Sequence, residues 1–119
     1  MIIGGLDVGT TGCKIALYDG EARLLATYYR EYDAVHKDGC HEIDFSDIKS
    51  GVLSLLKQAA NEHKIDALGI TSFGETFAML DEKDNILAPS MLYTDPRGEK
   101  ECESICRAVG EEKLTLLSG

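Results

Sequence analysis

The sequence predicts an α/β domain whose mixed sheet begins with a three-stranded antiparallel meander and continues with a β-α-β unit. Three short segments near the N-terminus are apolar or alternate in polarity, and turn residues separate them. A long amphipathic segment follows and leads into another apolar run, which is the pattern of a helix and a strand. With 119 residues, of which 44% are hydrophobic, the chain is sized for one domain.

The meander is predicted from local residue types. Residues 2–7 are apolar until Asp7 and predict a buried strand, whereas residues 8–12 hold two Gly and two Thr and predict a turn. Residues 13–19 and 23–32 predict the second and third strands. Short connections favour antiparallel pairing of neighbours, so the three strands form a meander.

The β-α-β unit follows a predicted loop over residues 33–43. Asp44 is a suitable N-cap, and apolar residues recur at helical spacing over residues 45–63. Residues 66–72 predict a short buried strand, which we expect to run parallel to an earlier one after a right-handed crossover.

The last third of the chain is predicted as short, mixed elements. Residues 76–81 predict a strand, Asp84-Asn85 a turn and residues 86–94 an extended segment. Residues 97–109 predict a helix, and Glu111 is expected to open one more short helix.

Charge and composition restrict the possible functions. The net charge of −9 argues against a nucleic-acid partner, because phosphate backbones are bound by clustered Lys and Arg. No run of 18 apolar residues is present, so we expect no membrane span. The N-terminus has no basic region and reaches Asp7 too early for a signal peptide, which predicts a cytoplasmic protein.

The four cysteines are Cys13, Cys40, Cys102 and Cys106, and the absence of a CxxC pair argues against zinc. Cys102 and Cys106 are spaced to share one helix face. They fit a redox pair, half of a metal site or two small buried thiols, and the last of these is favoured because free Cys packs as a small hydrophobe.

Asp7 is a candidate metal ligand. A carboxylate at the end of a buried strand is costly without a partner, and a divalent cation relieves that cost. Mg²⁺ suits this position because it takes one or two carboxylates and keeps water and phosphate oxygens as its other ligands.

The turn that follows Asp7 is a candidate phosphate site. Gly9 and Gly12 allow close backbone approach, and Thr10 and Thr11 add hydroxyls beside the exposed amides of the turn. Lys14 adds a positive charge on the returning strand. The segment is not a P-loop, because it lacks the GxxxxGK[ST] spacing and leads into a strand. An ordinary Gly- and Thr-rich hairpin turn remains the alternative.

The segment Asp-Val-Gly-Thr-Thr at residues 7–11 resembles the phosphate loop of the sugar-kinase, Hsp70 and actin superfamily. Three further blocks resemble the FGGY carbohydrate kinases. Residues 39–44 are similar to their "GwvEqd" segment, residues 68–72 to "IgiSgQ", and residues 80–97 to "llDedGkvLrPailWnDqR". These blocks occur in the family's order over the whole chain.

The resemblance implies a ribonuclease H-like, actin-like ATPase fold and ATP-dependent phosphorylation of a sugar or polyol hydroxyl. It implies that residues 1–119 are an incomplete N-terminal domain. The family's ATP-binding C-terminal domain and its catalytic Asp have no counterpart here, and residues 116–119 resemble the family's "lTG" segment. We therefore expect the fragment alone to have no kinase activity.

The resemblance also assigns roles to residues. Asp7 corresponds to the metal and phosphate carboxylate, and Thr10 and Thr11 face the phosphates. Glu75 and Thr76 match the last two letters of the "RET" segment of glycerol kinases, which binds the polyol. Gly74 replaces its Arg, and the Gln-Met-His of xylulose kinases is absent. Glu75 is thus either a substrate ligand or a solvated loop carboxylate.

Asp95 and Arg97 match the family's "nDqR" segment near the substrate cleft. They are candidate substrate-binding residues, although an Asp–Arg pair also serves to fix a loop. Two other classes share the phosphate loop, namely actin- or Hsp70-type switches and ATP-dependent activators of radical dehydratases. The block at residues 80–97 favours the kinase. An open sheet edge in the fragment predicts a homo-oligomer.

Overall fold

The computed structural model describes residues 1–118, and Gly119, the last residue of the segment compared with "lTG", lies outside them. Two small sheets and three helices make up the described chain. The elements in chain order are β1 (Ile3–Val8), β2 (Gly12–Tyr18), β3 (Leu24–Glu31), β4 (Val35–Lys37), β5 (Cys40–Ile43), α1 (Phe45–Glu62), β6 (Ala67–Ser72), β7 (Ser90–Met91), α2 (Glu99–Val109) and α3 (Glu111–Ser118).

The main sheet is mixed and has the strand order β3-β2-β1-β6. β1 pairs antiparallel with β2, and β2 with β3, which confirms the predicted meander. β6 runs parallel to β1, with Leu6 opposite Ile70, as the β-α-β unit predicts. The N-terminal strand β1 therefore lies inside the sheet, with a neighbour on each side.

Helix α1 covers one face of the meander. The Asp44 carboxylate accepts a hydrogen bond of 2.8 Å from the amide of Ser46, which confirms the predicted N-cap. Gly51 permits close approach of the helix, because a Cβ there would lie 3.3 Å from the Tyr32 ring. The helix buries one apolar stripe against β2 and β3, formed by Ile48, Gly51, Leu55 and Ala59.

The predicted loop over residues 33–43 is wrong, because these residues form the antiparallel hairpin β4–β5. Asp38 and Gly39 both have positive φ, 54° and 77°, which is the requirement of a type I′ turn. β7 pairs with β5 and completes a second sheet in the order β4-β5-β7.

The predicted strand over residues 76–81 is also wrong. Only Leu80 makes a bridge, to Ile86, and the rest of the segment is irregular. The Asp81 carboxylate accepts hydrogen bonds of 2.8 Å from the amides of Lys83 and Asn85 and so closes a local turn. The apolar residues here line cavities instead of continuing a sheet.

The C-terminal helices confirm the predicted pattern, with a short 3₁₀ helix at Pro96–Gly98 leading into α2. Cys102 and Cys106 both lie on α2, but Cys102 is exposed and Cys106 half-buried, so the expectation of two buried thiols is wrong for Cys102. Among the helices of residues 1–118, we find none with the length and apolar character needed to cross a bilayer.

Strand β6 forms one edge of the main sheet, and all six of its residues are exposed, so the expectation of a buried strand over residues 66–72 is wrong. α1 lies over β2 and β3 and leaves β6 uncovered. Leu68 and Ile70 consequently present apolar side chains to solvent. The backbone N–H and C=O groups on the outer side of β6 have no partner strand within the described chain.

Candidate phosphate turn and neighbouring cavity

The turn between β1 and β2 is closed by a hydrogen bond of 2.9 Å from the Gly9 amide to the Gly12 carbonyl. The amides of Thr10 and Thr11 have no hydrogen-bond partner within residues 1–118, so both are available to an anion. A Cβ on Gly12 would lie 2.7 Å from the Arg30 carbonyl oxygen, and this backbone contact excludes a side chain there. The turn thus requires the glycine that the sequence places in it.

Tyr32 fixes the backbone of this turn through two hydrogen bonds. Its phenolic hydroxyl donates to the Gly9 carbonyl, and its amide donates to the Thr11 carbonyl at 3.3 Å. Burial raises the pKa of Tyr32 to about 12, so the hydroxyl remains a donor at all physiological pH values. Tyr32 has no role in the sequence-based expectations, because its position at the end of a strand gives no sign of this long-range contact.

Asp7 lies near the end of β1 and is exposed, so the expected cost of a buried carboxylate does not apply. Lys14 is its partner in the antiparallel register and Thr71 its partner in the parallel register. Residues at paired positions point to the same face of a sheet, so the three side chains form a row on the face opposite α1. Asp7 makes no hydrogen bond or ion pair within residues 1–118.

These residues fit a phosphate-bound Mg²⁺ ion. Mg²⁺ keeps most of its water and phosphate ligands and needs only one or two carboxylates, and Asp7 is a carboxylate without a competing partner. No group of three His, Cys, Asp or Glu side chains within residues 1–118 has an arrangement that could hold a metal on its own.

A cavity of about 420 Å³ lies beside β5 and β7. Its polar groups are Glu42, Glu75 and Arg97, and they face an otherwise apolar wall. That wall is formed by Phe77, Met79, Ala88, Pro89, Met91 and Leu92. A few charged groups above apolar surface are typical of a small-molecule site.

Arg97 lines this cavity and is held by Asp95, which lies outside the lining. The Asp95 carboxylate, 1% exposed, accepts hydrogen bonds from the His41 amide at 2.8 Å and from Nε and Nη2 of Arg97 at 2.8 and 2.7 Å. Arg97 Nη2 also donates to Glu42 at 2.6 Å. The side-chain hydrogen bond from Arg97 lowers the pKa of Asp95 well below its usual value, and the Asp95 and Glu42 hydrogen bonds raise the pKa of Arg97.

Glu75 lines the cavity from a strained backbone position. Its φ of 64° lies in the left-handed region, which non-glycine residues rarely occupy. Thr76, the next residue, does not line this cavity and borders a smaller one instead. Of the predicted substrate residues, the structure therefore brings Glu75 and Arg97 to one cavity, and Asp95 lies outside its lining, hydrogen-bonded to Arg97. The predicted phosphate residues lie outside its lining.

Comparison with known proteins identifies the family. The model of the N-terminal domain of the FGGY family of carbohydrate kinases matches residues 2–119. Xylulose kinase of Staphylococcus xylosus is 28% identical over 96% of this chain and 24% of its own length. Glycerol kinase of Acinetobacter baylyi is 31% identical over 84% of this chain and 22% of its own length. The chain thus spans about a quarter of the curated relatives that it matches.

Solved structures of sugar kinases share the fold of this chain. Gluconate kinase of Lactobacillus acidophilus superposes with a TM-score of 0.84 and 25% identity, covering 92% of this chain and 23% of that protein. A xylulose kinase from the same organism gives the same values. These sugar-kinase structures confirm the predicted α/β, ribonuclease H-like fold class. By the family match over almost its entire length, the chain belongs to the FGGY family of carbohydrate kinases.

Proposed function

We propose that this chain is the N-terminal part of an ATP-dependent kinase that transfers the γ-phosphate of ATP to a hydroxyl of a sugar or polyol. The observation that carries the proposal is the turn at residues 9–12, where the amides of Thr10 and Thr11 are open to an anion and Tyr32 holds the backbone. Such a rigid array of donors binds phosphate without reorganising.

The residues around the turn supply complementary charge. Asp7 would hold Mg²⁺, directly or through water, and Mg²⁺ would neutralise phosphate charge. Lys14, its cross-strand partner, adds a positive charge on the same face of the sheet. Thr10 and Thr11 add hydroxyl groups that have no partner within residues 1–118.

The larger cavity is the proposed sugar or polyol site. The carboxylate of Glu75 accepts hydrogen bonds from substrate hydroxyls. Nη1 of Arg97 has no partner within residues 1–118 and can donate to a substrate oxygen, while Nε and Nη2 remain on Asp95. Asp95 therefore acts as a positioning residue that aims Arg97 at the cavity. The apolar wall packs against the C–H groups of the substrate.

Phosphate binding is tested on the chain itself by following backbone amide NMR signals during titration with Mg²⁺ and ADP. We expect shifts at Thr10 and Thr11 that Asp7→Asn reduces at least threefold at a fixed Mg²⁺ concentration. Asp38→Asn is the charge-matched control, because it removes an exposed carboxylate on the β4–β5 turn. Equal responses of all three proteins, or no response at the turn, would contradict the proposal.

We further propose that residues 1–119 alone have no kinase turnover, since the family's catalytic Asp and adenosine site lie in segments that these residues do not match. A coupled assay for ADP release with a panel of sugars and polyols tests this directly. We expect no sugar-dependent ADP release, and release above the no-sugar rate would show the proposal to be wrong. The family match favours the kinase over the switch and the dehydratase activator, and no observation supports either of those two alternatives.

We also propose that the chain forms homo-oligomers through its open sheet edge, β6, because an unprotected edge strand invites pairing with another copy.

A further inference from the structure

Two histidine rings lie together on the β4–β5 hairpin. His36 of β4 is the direct cross-strand partner of His41 of β5. Their ring centroids are 4.5 Å apart, and the ring planes make an angle of 66°. His36 is exposed and His41 is half-buried, so solvent reaches the pair. Neither residue belongs to the phosphate turn or to the lining of the larger cavity.

The backbone of the hairpin brings these two side chains as close as strand pairing allows. The His41 amide donates to the Asp95 carboxylate at 2.8 Å, and the His41 carbonyl accepts from the Leu92 amide at 2.9 Å. Both backbone groups of His41 are therefore used outside the β4–β5 pairing, so His36 and His41 occupy a non-hydrogen-bonded pair. Opposite side chains are closer at such a pair than at a hydrogen-bonded one.

Thr94 determines which ring nitrogen of His41 is free. Nδ1 of His41 lies 3.1 Å from Thr94 Oγ1, within hydrogen-bond distance. When Nδ1–H donates to this hydroxyl, Nε2 keeps its lone pair, and metal-ligating histidines are usually oriented by such a second hydrogen bond. The ring nitrogens of His36 have no hydrogen-bond partner within residues 1–118. The pair thus offers one unshared nitrogen lone pair from each ring.

The donor atoms select the class of ion. Imidazole nitrogen suits Zn²⁺, Cu²⁺ and Ni²⁺, whereas Mg²⁺ and Ca²⁺ are bound by oxygen ligands. Two imidazole rings that share one ion through bonds of about 2.0–2.1 Å have centres roughly 5 Å apart. The observed separation of 4.5 Å is close to this value, and the exposed His36 ring can adjust by rotation.

We propose that His36 and His41 form a two-histidine site for a divalent cation of the zinc and copper class, with Thr94 orienting His41. Water completes the coordination, so the ion is exchangeable. It joins β4 to β5 beside the His41 amide that holds Asp95, and Asp95 in turn holds Arg97 at the larger cavity. The site is independent of the proposed kinase activity, because it uses neither Mg²⁺ nor the phosphate turn.

Titration of the chain with Zn²⁺ at pH 7.5, followed by NMR of the histidine ring signals, tests the site. We expect the signals of His36 and His41 to move together and to reach saturation. The third histidine of the chain, His63, lies at the C-cap of α1 and is an internal control whose signals should not move. Shifts confined to Cys102 and Cys106, equal shifts of all three histidines, or no shift at the pair overturn the site.

Substitutions measured by calorimetry give a second test. We make them in a Cys102→Ser, Cys106→Ser chain, in which this thiol pair cannot compete for Zn²⁺. We expect His36→Gln to raise the Kd for Zn²⁺ about 100-fold, because one of two linked ligands is lost. Thr94→Val should raise the Kd about tenfold through loss of the orienting hydrogen bond. His63→Gln is the matched control, and equal Kd values for His36→Gln and His63→Gln overturn the site.

Discussion

At the scale of single residues, Glu75 combines an unfavourable backbone conformation with a side chain that lines the larger cavity. Left-handed backbone at a non-glycine residue stores strain, and such strain is concentrated at functional sites. Any side chain at this position therefore has a measurable energetic cost to the fold.

We predict that Glu75→Gly raises the free energy of unfolding by about 1 kcal/mol, because glycine accepts a φ of 64° without strain. Glu75→Gln retains the strain and should leave the stability nearly unchanged. Both variants should weaken polyol binding. Urea unfolding at pH 7 measures the difference, and a Glu75→Gly variant less stable than the unaltered chain would contradict this explanation.

Tyr32 is the residue on which the geometry of the phosphate turn depends. We predict that Tyr32→Phe lowers the free energy of unfolding by about 1 kcal/mol, because the Gly9 carbonyl loses its donor, and that it reduces the response of the Thr10 and Thr11 amides to ADP. Tyr93→Phe removes a hydroxyl from a side chain that is 66% exposed and lies outside the turn, and it is the control. Equal effects of the two substitutions would show that the Tyr32 contact does not hold the turn.

At the scale of elements, prediction from sequence succeeded where the signals are local. The N-cap at Asp44, the apolar spacing of α1 and the turn residues between the first strands all lie within a few positions of the elements that they define. The β4–β5 hairpin was missed because its strands are polar and only Asp38-Gly39 marks the turn. The apolar residues at 76–81 predict a strand, but Phe77, Ala78 and Met79 line cavities instead.

The same distinction applies to the candidate site. Asp7, Gly9 and Thr10 are recognisable because residue type and spacing alone indicate phosphate chemistry. The contact of Tyr32 with the turn joins segments that are far apart in the chain, and the residues next to Tyr32 in sequence do not indicate it. Sequence reasoning identifies candidate ligand-binding groups more readily than the residues that hold them in place.

The N-cap of α1 gives an element-scale prediction. Hydrogen bonds from Ser46 lower the pKa of Asp44, so this carboxylate stabilises the fold above its unfolded pKa, and the contribution is lost as the pH falls through the folded pKa. Asp44→Ala should cost about 1 kcal/mol at pH 7 and much less at pH 2.5. Asp44→Asn keeps the cap and should show a smaller loss. Thermal unfolding at the two pH values measures both, and an equal loss at the two values would argue against the cap.

At the scale of the whole molecule, we propose that the exposed edge strand β6 mediates self-association. We predict dimers or larger oligomers by size-exclusion chromatography with light scattering, because β6 carries no charge or proline that would block pairing. Ile70→Lys places a charge on this edge and should shift the chain toward monomer. Leu116→Lys, on α3, is the control, since it also replaces an exposed apolar side chain. A monomer at high concentration would contradict the prediction.

Because β1 lies inside the main sheet, its two sides become paired at different times during synthesis. Of the three strands β1, β2 and β6, β1 is synthesised first and β2 follows it immediately, but the other neighbour of β1, β6, begins only at Ala67. At about 5–20 residues per second, one side of β1 stays without its partner for several seconds. During that interval the nascent meander has two open edges, and α1 is the only helix completed before β6 is made. We therefore expect the nascent chain to need protection by chaperones most while residues 9–66 are being translated.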